Sequence, residues 1–195
     1  MKTLTRTFQT ITRHAVAFSA LCLLCLGLSN FAAALTTQTI TITQGVPPSA
    51  PYNSWFNLGA TASSGLLVKM TSSGGCSVAL GLGKYAAKIT SSTIPCVIYY
   101  NQAGNATYAA APQKISTTYV TKANQSISIT KAAPTSAVYG VSFDVAATAS
   151  SNLPVSISAS NNCDISGNIV TPFAGSPANC LINYTQAGDD NYNAA

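Results

Sequence analysis

Polar and apolar residues alternate along much of this chain beyond residue 34, as they do in β-strands with one buried face. The run 125–130 shows it clearly, since Ile127 and Ile129 lie between serine and threonine residues. Glycine, proline and asparagine separate such runs in the manner of turns. No segment shows helical periodicity, which excludes a parallel α/β architecture. In the C-terminal half the alternation predicts strands at 126–130, 141–149, 155–160 and 180–184, with a weaker one at 168–171.

The pattern occurs twice in succession. Gln-Thr-Ile-Thr-Ile-Thr at 38–43 returns as Gln-Ser-Ile-Ser-Ile-Thr at 125–130, an offset of 87 residues (125 − 38). Gln-Ala-Gly-(Asn/Asp)-x-x-Tyr occurs in both copies, at 102–108 and 186–192, where the second copy is three residues shorter and the offset is 84 (186 − 102). Such self-similarity indicates one structural unit repeated in tandem. Other matched pairs are Pro47/Pro134, Tyr52/Tyr139, Phe56/Phe143, Cys76/Cys163 and Cys96/Cys180.

The order of these motifs resembles the bacterial immunoglobulin-like repeats that form arrays in large secreted and surface proteins. The motifs are Gln-x-Ile-x-Ile, Tyr followed by Phe, Ala-Thr-Ala-Ser-Ser-x-Leu-x-Val, two cysteines, and Gln-Ala-Gly-Asn-x-x-Tyr-x-Ala-Ala-Pro, and together they cover nearly all of 38–195. The resemblance implies a seven-stranded sandwich and a spacer or adhesive role, with no ligand common to the family. One departure is Ser142, which stands where the first copy has Trp55.

We therefore expect an all-β protein of two tandem immunoglobulin-like antiparallel β-sandwiches. Each copy is near the roughly 100 residues of such a domain. The expected boundaries are a first repeat at 35–121, a linker at 122–124 and a second repeat at 125–195.

The N-terminus has the features of a secretory signal peptide. A basic stretch precedes an apolar run from Ala15 to Leu28, and Ala32-Ala33-Ala34 follows, so cleavage is expected before Leu35. The apolar run is shorter than the roughly 20 residues that span a bilayer, so we expect no membrane insertion of the mature chain. We expect the protein to be secreted, extracellular or periplasmic, with association to the cell surface as a further option.

Removal of residues 1–34 changes which charged residues the chain contains, because both arginines and the only histidine lie in that segment. Six lysines and four aspartates remain, and glutamate is absent throughout. A chain without arginine or a basic cluster is not suited to phosphate contacts, so nucleic acid is not an expected partner. Catalytic arrangements that need histidine cannot be assembled. We expect no enzyme activity and no cofactor.

The acidic residues do not suggest a metal site. Asp189 and Asp190 replace Asn105 and Ala106 of the first copy, so turn formation explains them. Calcium sites use six to eight oxygen ligands, and no dense acidic loop is present. We expect no bound metal.

Four cysteines remain beyond the signal peptide, two in each copy. Export permits disulfides, and matching positions favour pairing within a copy over the two other connectivities. We predict the bonds Cys76–Cys96 and Cys163–Cys180. The alternative of a metal site or redox pair is disfavoured, because neither copy has a Cys-x-x-Cys motif.

The second copy stops at Ala195, before a counterpart of the segment 113–121, whose Ile115, Thr117 and Tyr119 alternate as in a final strand. We expect the second sandwich to lack this strand, which would leave the strand near Cys180 with an unpaired edge. The sequence leaves two explanations open. The chain is a fragment of a longer repeat protein, or a partner subunit donates the strand.

Aromatic residues offer the other candidate binding surface, since they stack on sugars. Most tyrosines match between copies and are expected to be architectural. The unmatched Trp55, Tyr85, Tyr100 and Tyr119 are the candidates for ligand contact. The leading hypothesis is a non-catalytic structural or adhesive protein that contacts other surface proteins or glycans. The alternative is a module that binds carbohydrate or a donated strand.

Overall fold

A computed structural model describes residues 34–175 and 179–195. The predicted signal peptide lies outside the described residues except for Ala34. Every regular element in the described part is a β-strand, and no helix there is long and apolar enough to cross a membrane. The strands are β1 (Ile40–Gln44), β2 (Ser49–Pro51), β3 (Trp55–Ala62), β4 (Lys69–Gly74), β5 (Cys76–Gly81), β6 (Lys84–Ile89), β7 (Cys96–Asn101), β8 (Lys114–Thr121), β9 (Ile127–Lys131), β10 (Phe143–Asp144), β11 (Ala146–Ala149), β12 (Ser156–Asn161), β13 (Cys163–Ser166), β14 (Ile169–Pro172) and β15 (Cys180–Thr185).

The first eight strands form two four-stranded sheets, with the orders β1-β3-β6-β5 and β2-β8-β7-β4. Neighbouring strands pair antiparallel, except that β2 runs parallel to β8. Successive side chains of a strand point to opposite faces, so each sheet buries alternate residues. Leu58 of β3 and Ile98 of β7 belong to one core that both sheets share.

The remaining strands form smaller sheets, ordered β10-β14-β13, β11-β9 and β12-β15. All of their pairings are antiparallel. Their core is a second, smaller cluster around Val145, Cys163 and Val170. Fewer residues are fully buried in this half than in residues 40–121.

Both predicted disulfides are present, with Cα–Cα distances of 5.2 Å for Cys76–Cys96 and 5.4 Å for Cys163–Cys180. Each bond joins strands of two different sheets, β5 to β7 in the first case and β13 to β15 in the second. Each disulfide therefore cross-links two sheets of its half of the chain. Their presence is consistent with an extracellular location.

The predicted strands agree with the structure at 126–130, 155–160, 168–171 and 180–184, within one or two residues at each end. The predicted strand 141–149 divides into β10 and β11 at Val145, because β10 pairs with β14 whereas β11 pairs with β9. Strand β13 was not predicted. Its residues alternate between more buried and exposed positions, but the strand is only four residues long, which is too short for the alternation to stand out in the sequence.

Candidate functional site

A buried glutamine ties the segment before β1 to the turn that follows β7. The side-chain nitrogen of Gln38 donates hydrogen bonds to Oε1 of Gln102 and to the carbonyl of Ala109, both at 2.6 Å. The amide oxygen of Gln38 accepts the hydroxyl proton of Ser64. Oε1 of Gln102 also accepts the backbone N–H of Gly104 at 2.5 Å. These partners offset the cost of burying an amide side chain.

The second half repeats this network with the matching residues. The side-chain nitrogen of Gln125 donates to Oε1 of Gln186 at 2.5 Å and to the carbonyl of Asn193 at 2.7 Å. The hydroxyl of Ser151 donates to the amide oxygen of Gln125 at 2.5 Å, and the N–H of Gly188 donates to Gln186 at 2.5 Å. The repeated Gln-Ala-Gly motif therefore has the same structural role in both halves.

The turn at 189–192 of the second half contacts the first half directly. Oδ1 of Asp189 accepts the backbone N–H groups of Asn191 and Tyr192, both at 2.8 Å, which fixes the turn. Oδ1 of Asn191 in turn accepts the backbone N–H of Ser92 at 3.0 Å. The ring of Tyr192 meets that of Tyr52 edge to face, with centroids 5.3 Å apart. Tyr192 of the repeated turn motif therefore also contacts the first half.

The connecting segment 122–124 takes part in the same contact. The N–H of Ala123 donates to the carbonyl of Asn191 at 2.8 Å, and the N–H of Asn193 donates back to Ala123 at 2.9 Å. Nζ of Lys122 donates to the carbonyl of Asp189 at 2.6 Å. We call the segment 122–124, the turn 189–193, Tyr52 and Ser92 the joint. The predicted linker is therefore held by backbone and side-chain hydrogen bonds.

The second half carries an open groove of about 830 Å³. One wall is β15, at Cys180, Leu181 and Ile182, and the opposite wall is the segment 133–139. No charged side chain is among the described residues that line it. In the same described residues β15 pairs with β12 alone, so the edge of β15 that faces the groove is unpaired.

The lining of the groove includes the sequence counterparts of residues that neighbour β8 in the first half. There β8 lies between β2 and β7. By the sequence register, β15 corresponds to β7 and Ser136-Ala137 corresponds to Ser49-Ala50 of β2. The two walls of the groove are thus the counterparts of the two neighbours of β8.

Burial differs between these matched positions. Cys96, Ile98 and Ala50 are buried in the first-half core. Their counterparts Cys180 and Ile182 are only half-buried, and Ala137 is exposed. Tyr139 (66% exposed) and Leu181 (50%) add large apolar surface to the groove. The second half therefore leaves open to solvent an apolar surface that the first half covers with β8.

The four aromatic candidates do not form a common site. Trp55 is 60% exposed on β3 and Tyr119 is 70% exposed on β8, and these strands belong to different sheets. Nζ of Lys88 lies 5.6 Å from the ring centroid of Trp55, within the range of a cation–π interaction. Tyr85 packs against the hydrophobic core.

The prediction of Tyr100 as an exposed ligand contact is wrong. Its side chain is fully buried, because β7 is a central strand of its sheet and Tyr100 is on the core face. Its hydroxyl has no hydrogen-bond partner of normal geometry in the described part of the chain. Burial raises the pKa of Tyr100 above its ordinary value, and the nearby Ser116 side chain offsets part of this shift.

No cluster of three or more potential metal ligands occurs in residues 34–175 and 179–195. The ion pair Lys131–Asp144, at 2.8 Å, lies on the surface, where such pairs contribute little. The arrangement of the described residues offers surfaces and an open strand edge for binding.

No family model, curated protein or solved structure matches this chain.

The joint was not predicted from the sequence. The sequence feature that could have indicated it is the difference between Asn-Ala-Thr at 105–107 and Asp-Asp-Asn at 189–191. From the sequence alone, turn formation accounts for this difference. A turn explains Asp189, which caps two backbone N–H groups. It does not explain Asn191, whose side chain reaches Ser92 of the other half.

Proposed function

We propose that this chain is an exported, non-catalytic structural protein of two tandem immunoglobulin-like sandwiches, which spaces or presents a surface outside a bacterial cell. The two cores, each crossed by a disulfide, support the two-sandwich plan. The alternating pattern and the repeat support the β-rich modules, and the signal-like N-terminus supports export.

The joint is the observation that carries the spacer role. A flexible linker between domains usually has few contacts across it. Here Ala123 bridges to Tyr192, Lys122 and Ser92 bond to the turn 189–191, and Tyr52 packs on Tyr192. A joint of this kind keeps two modules in a fixed orientation, which a spacer needs in order to hold a surface in place.

Nuclear magnetic relaxation of backbone ¹⁵N in the exported protein tests this role. The expected result is one rotational correlation time for both halves, with ordered amides at 122–124. Replacement of Tyr52 and Asn191 by alanine should free the halves, because it removes the ring contact and the acceptor of the Ser92 N–H, and the halves would then show separate, shorter correlation times. Tyr119→Ala is the matched control, since this exposed tyrosine is outside the joint. Independent tumbling of the halves in the unaltered protein would contradict the spacer role.

A second candidate function is carbohydrate binding at Trp55. Its observation is the largely exposed indole ring on a sheet face, beside the small outward residue Asn57. Glycan-array binding that Trp55→Ala abolishes and Tyr119→Ala preserves would support this candidate. Absence of binding to any glycan would count against it.

A further inference from the structure

The outward face of the sheet β1-β3-β6-β5 carries one exposed tryptophan and two lysines. Ala87 of β6 is buried in the first core, so Lys84 and Lys88 lie on the opposite face of that strand. Phe56 of β3 packs against the same core, so its neighbour Trp55 also points outward. The side chains of Trp55, Lys84 and Lys88 therefore share one surface.

The strand register surrounds these three side chains with small ones. Trp55 pairs with Lys88 at one end of the surface, and Lys84 lies two outward positions further along β6. The outward positions between and beside them hold Asn57, Ser77, Ala79, Gly81 and Ala86. A ligand can therefore reach the indole ring and both lysines without meeting another large side chain of β3, β5 or β6.

Trp55 and Lys88 place an apolar ring and a cation side by side. Nζ of Lys88 lies 5.6 Å from the ring centroid, yet the tryptophan remains 60% exposed. The open surface of an indole can stack on the apolar face of a sugar ring, and the ammonium beside it can pair with an anionic substituent of that sugar. The pair thus suits a sugar that carries a negative charge.

The charges of the first half favour an anionic ligand. Residues 35–121 contain four lysines and no acidic residue, which gives a formal charge of +4, whereas all four aspartates lie in residues 125–195. Lys84 and Lys88 therefore have no carboxylate partner in their own half of the chain. An anion bound beside them would meet attraction from the lysines and no repulsion from a nearby carboxylate.

The second half shows that the fold does not require this pair. Ser142 holds the place of Trp55, and Thr171 of β14 holds the place of Lys88. The two hydroxyl groups lie 2.8 Å apart and form a hydrogen bond. The same strand arrangement accommodates a small polar pair at these positions, so folding alone does not explain Trp55 and Lys88.

We propose that the surface formed by Trp55, Lys84 and Lys88 binds an anionic polysaccharide. A sugar ring stacks on the indole, and carboxylate or sulfate groups along the polysaccharide pair with the two lysines. The inference rests on the second candidate function, carbohydrate binding at Trp55, and adds the charge of the ligand and the residues that recognise it.

Two other classes of anionic partner fit this surface less well. Duplex DNA carries one negative charge per about 1.7 Å, which two lysines without arginine do not match. Protein interfaces place several large apolar or aromatic residues together at their centre, whereas small side chains surround the single indole here. A polysaccharide with spaced charges needs only one stacking ring and a few cations.

Fluorescence titration of the exported protein tests the inference, because Trp55 is the only tryptophan of the chain. The probes are oligogalacturonate, alginate, hyaluronate and dextran sulfate, each compared with its neutral form, which is carboxyl-reduced for the first three and dextran for the last. We expect at least one charged polymer to change the emission saturably, with an affinity that falls as salt is added. Its neutral form should bind at least tenfold more weakly.

Matched variants, measured by calorimetry with the same polymer, assign the binding to this surface. Lys84→Gln and Lys88→Gln should each lower the affinity about twofold to fivefold, the effect of one exposed ion pair. Lys69→Gln is the control, since it removes the same charge from β4 in the other sheet, and it should leave the affinity unchanged. The double variant Trp55→Ser with Lys88→Thr copies the pair of the second half, so it should keep the melting temperature and lose binding.

Four results would overturn the inference. Equal binding of charged and neutral forms would leave carbohydrate binding intact but exclude the anionic class, whereas no binding to any polymer would exclude both. Equal losses in Lys69→Gln and the other lysine variants would exclude this surface. Equal binding of polyglutamate or single-stranded DNA would assign the response to any polyanion. The relaxation test of the joint does not involve Trp55 or these lysines, so none of these results bears on the spacer role.

Discussion

The hydroxyl groups of Tyr100 and Thr118 are both buried, on neighbouring strands, but they differ in their hydrogen bonding. Thr118 on β8 donates to the Pro47 carbonyl, whereas Tyr100 on β7 has no partner of normal geometry in the described residues. A buried polar group without a partner costs about 1–3 kcal/mol. The Tyr100 ring thus adds buried apolar surface to the core, whereas its hydroxyl makes no hydrogen bond of normal geometry in the described residues.

Replacement of Tyr100 by phenylalanine should leave the free energy of unfolding unchanged or raise it by about 1 kcal/mol, since it removes an unsatisfied group of the same shape. Thr118→Val is the contrasting control and should lower that free energy by about 1–3 kcal/mol, because the Pro47 carbonyl loses its donor. Urea denaturation with fluorescence detection measures both. A strong loss of stability in the Tyr100→Phe variant would show that the hydroxyl has a partner.

The raised pKa of Tyr100 also predicts a dependence on pH. Above the ordinary tyrosine pKa, the phenol ionises in the unfolded chain while burial keeps it protonated in the fold. The unfolded state then binds fewer protons, so stability should fall as pH rises from about 10. Denaturation from pH 8 to 11 should show a smaller decline in Tyr100→Phe than in the unaltered protein. An equal decline in both would contradict this role of Tyr100.

The turns and disulfides hold the strands together at the scale of the elements. Gly104 has a φ of 78°, and a β-carbon there would lie 2.3 Å from the carbonyl oxygen of Tyr108. Gly188 matches it, at 2.4 Å from the carbonyl oxygen of Tyr192. The repeated turn therefore needs glycine for both its conformation and its space.

Gly104→Ala should therefore destabilise the protein by roughly 3 kcal/mol or more, through backbone strain and a backbone clash together. Gly140→Ala is the matched control, because its φ of 69° is similar but no atom lies within 4 Å of the added carbon. The Gly140→Ala variant should lose about 1–2 kcal/mol of stability, from backbone strain alone. Thermal unfolding followed by circular dichroism measures the difference. Equal losses in the two variants would show that the turn can make room for a side chain.

Each disulfide closes a loop of similar length, with separations of 20 and 17 residues. Replacement of either pair by alanines should thus lower stability by about 3 kcal/mol. The loss of Cys163–Cys180 should have the larger structural effect, since the second core is smaller. Proteolysis should then cleave residues 125–195 first. Preferential cleavage of residues 35–121 in that variant would contradict the difference between the cores.

The sequence predicts the elements better than the burial of individual residues. Alternation along 126–130 and the matched cysteines are local or repeated signals, so the strands and both disulfides follow from them. Two features could not be predicted in this way: the chain passes from one sheet to another at Val145, and Tyr100 is buried. Both depend on which strands lie next to each other, and the alternation of polar and apolar residues carries no information on strand order.

At the scale of the molecule, residues 37–195 form one compact unit with two hydrophobic cores. The same glutamine network closes the turn in each half, and the joint connects the second turn to the first half. The central claim is that both halves follow one plan, in which the counterpart of β7 is flanked on both sides in the first half and on one side in the second.

Residue-resolved hydrogen exchange of the free protein tests this claim most directly. The amides of Cys96–Asn101 should all exchange slowly, because β7 lies between β4 and β8. Along Cys180–Thr185, slow amides that face β12 should alternate with fast amides that face the groove. Uniformly slow exchange along Cys180–Thr185 would contradict the account, because it would show that the edge of β15 is already paired.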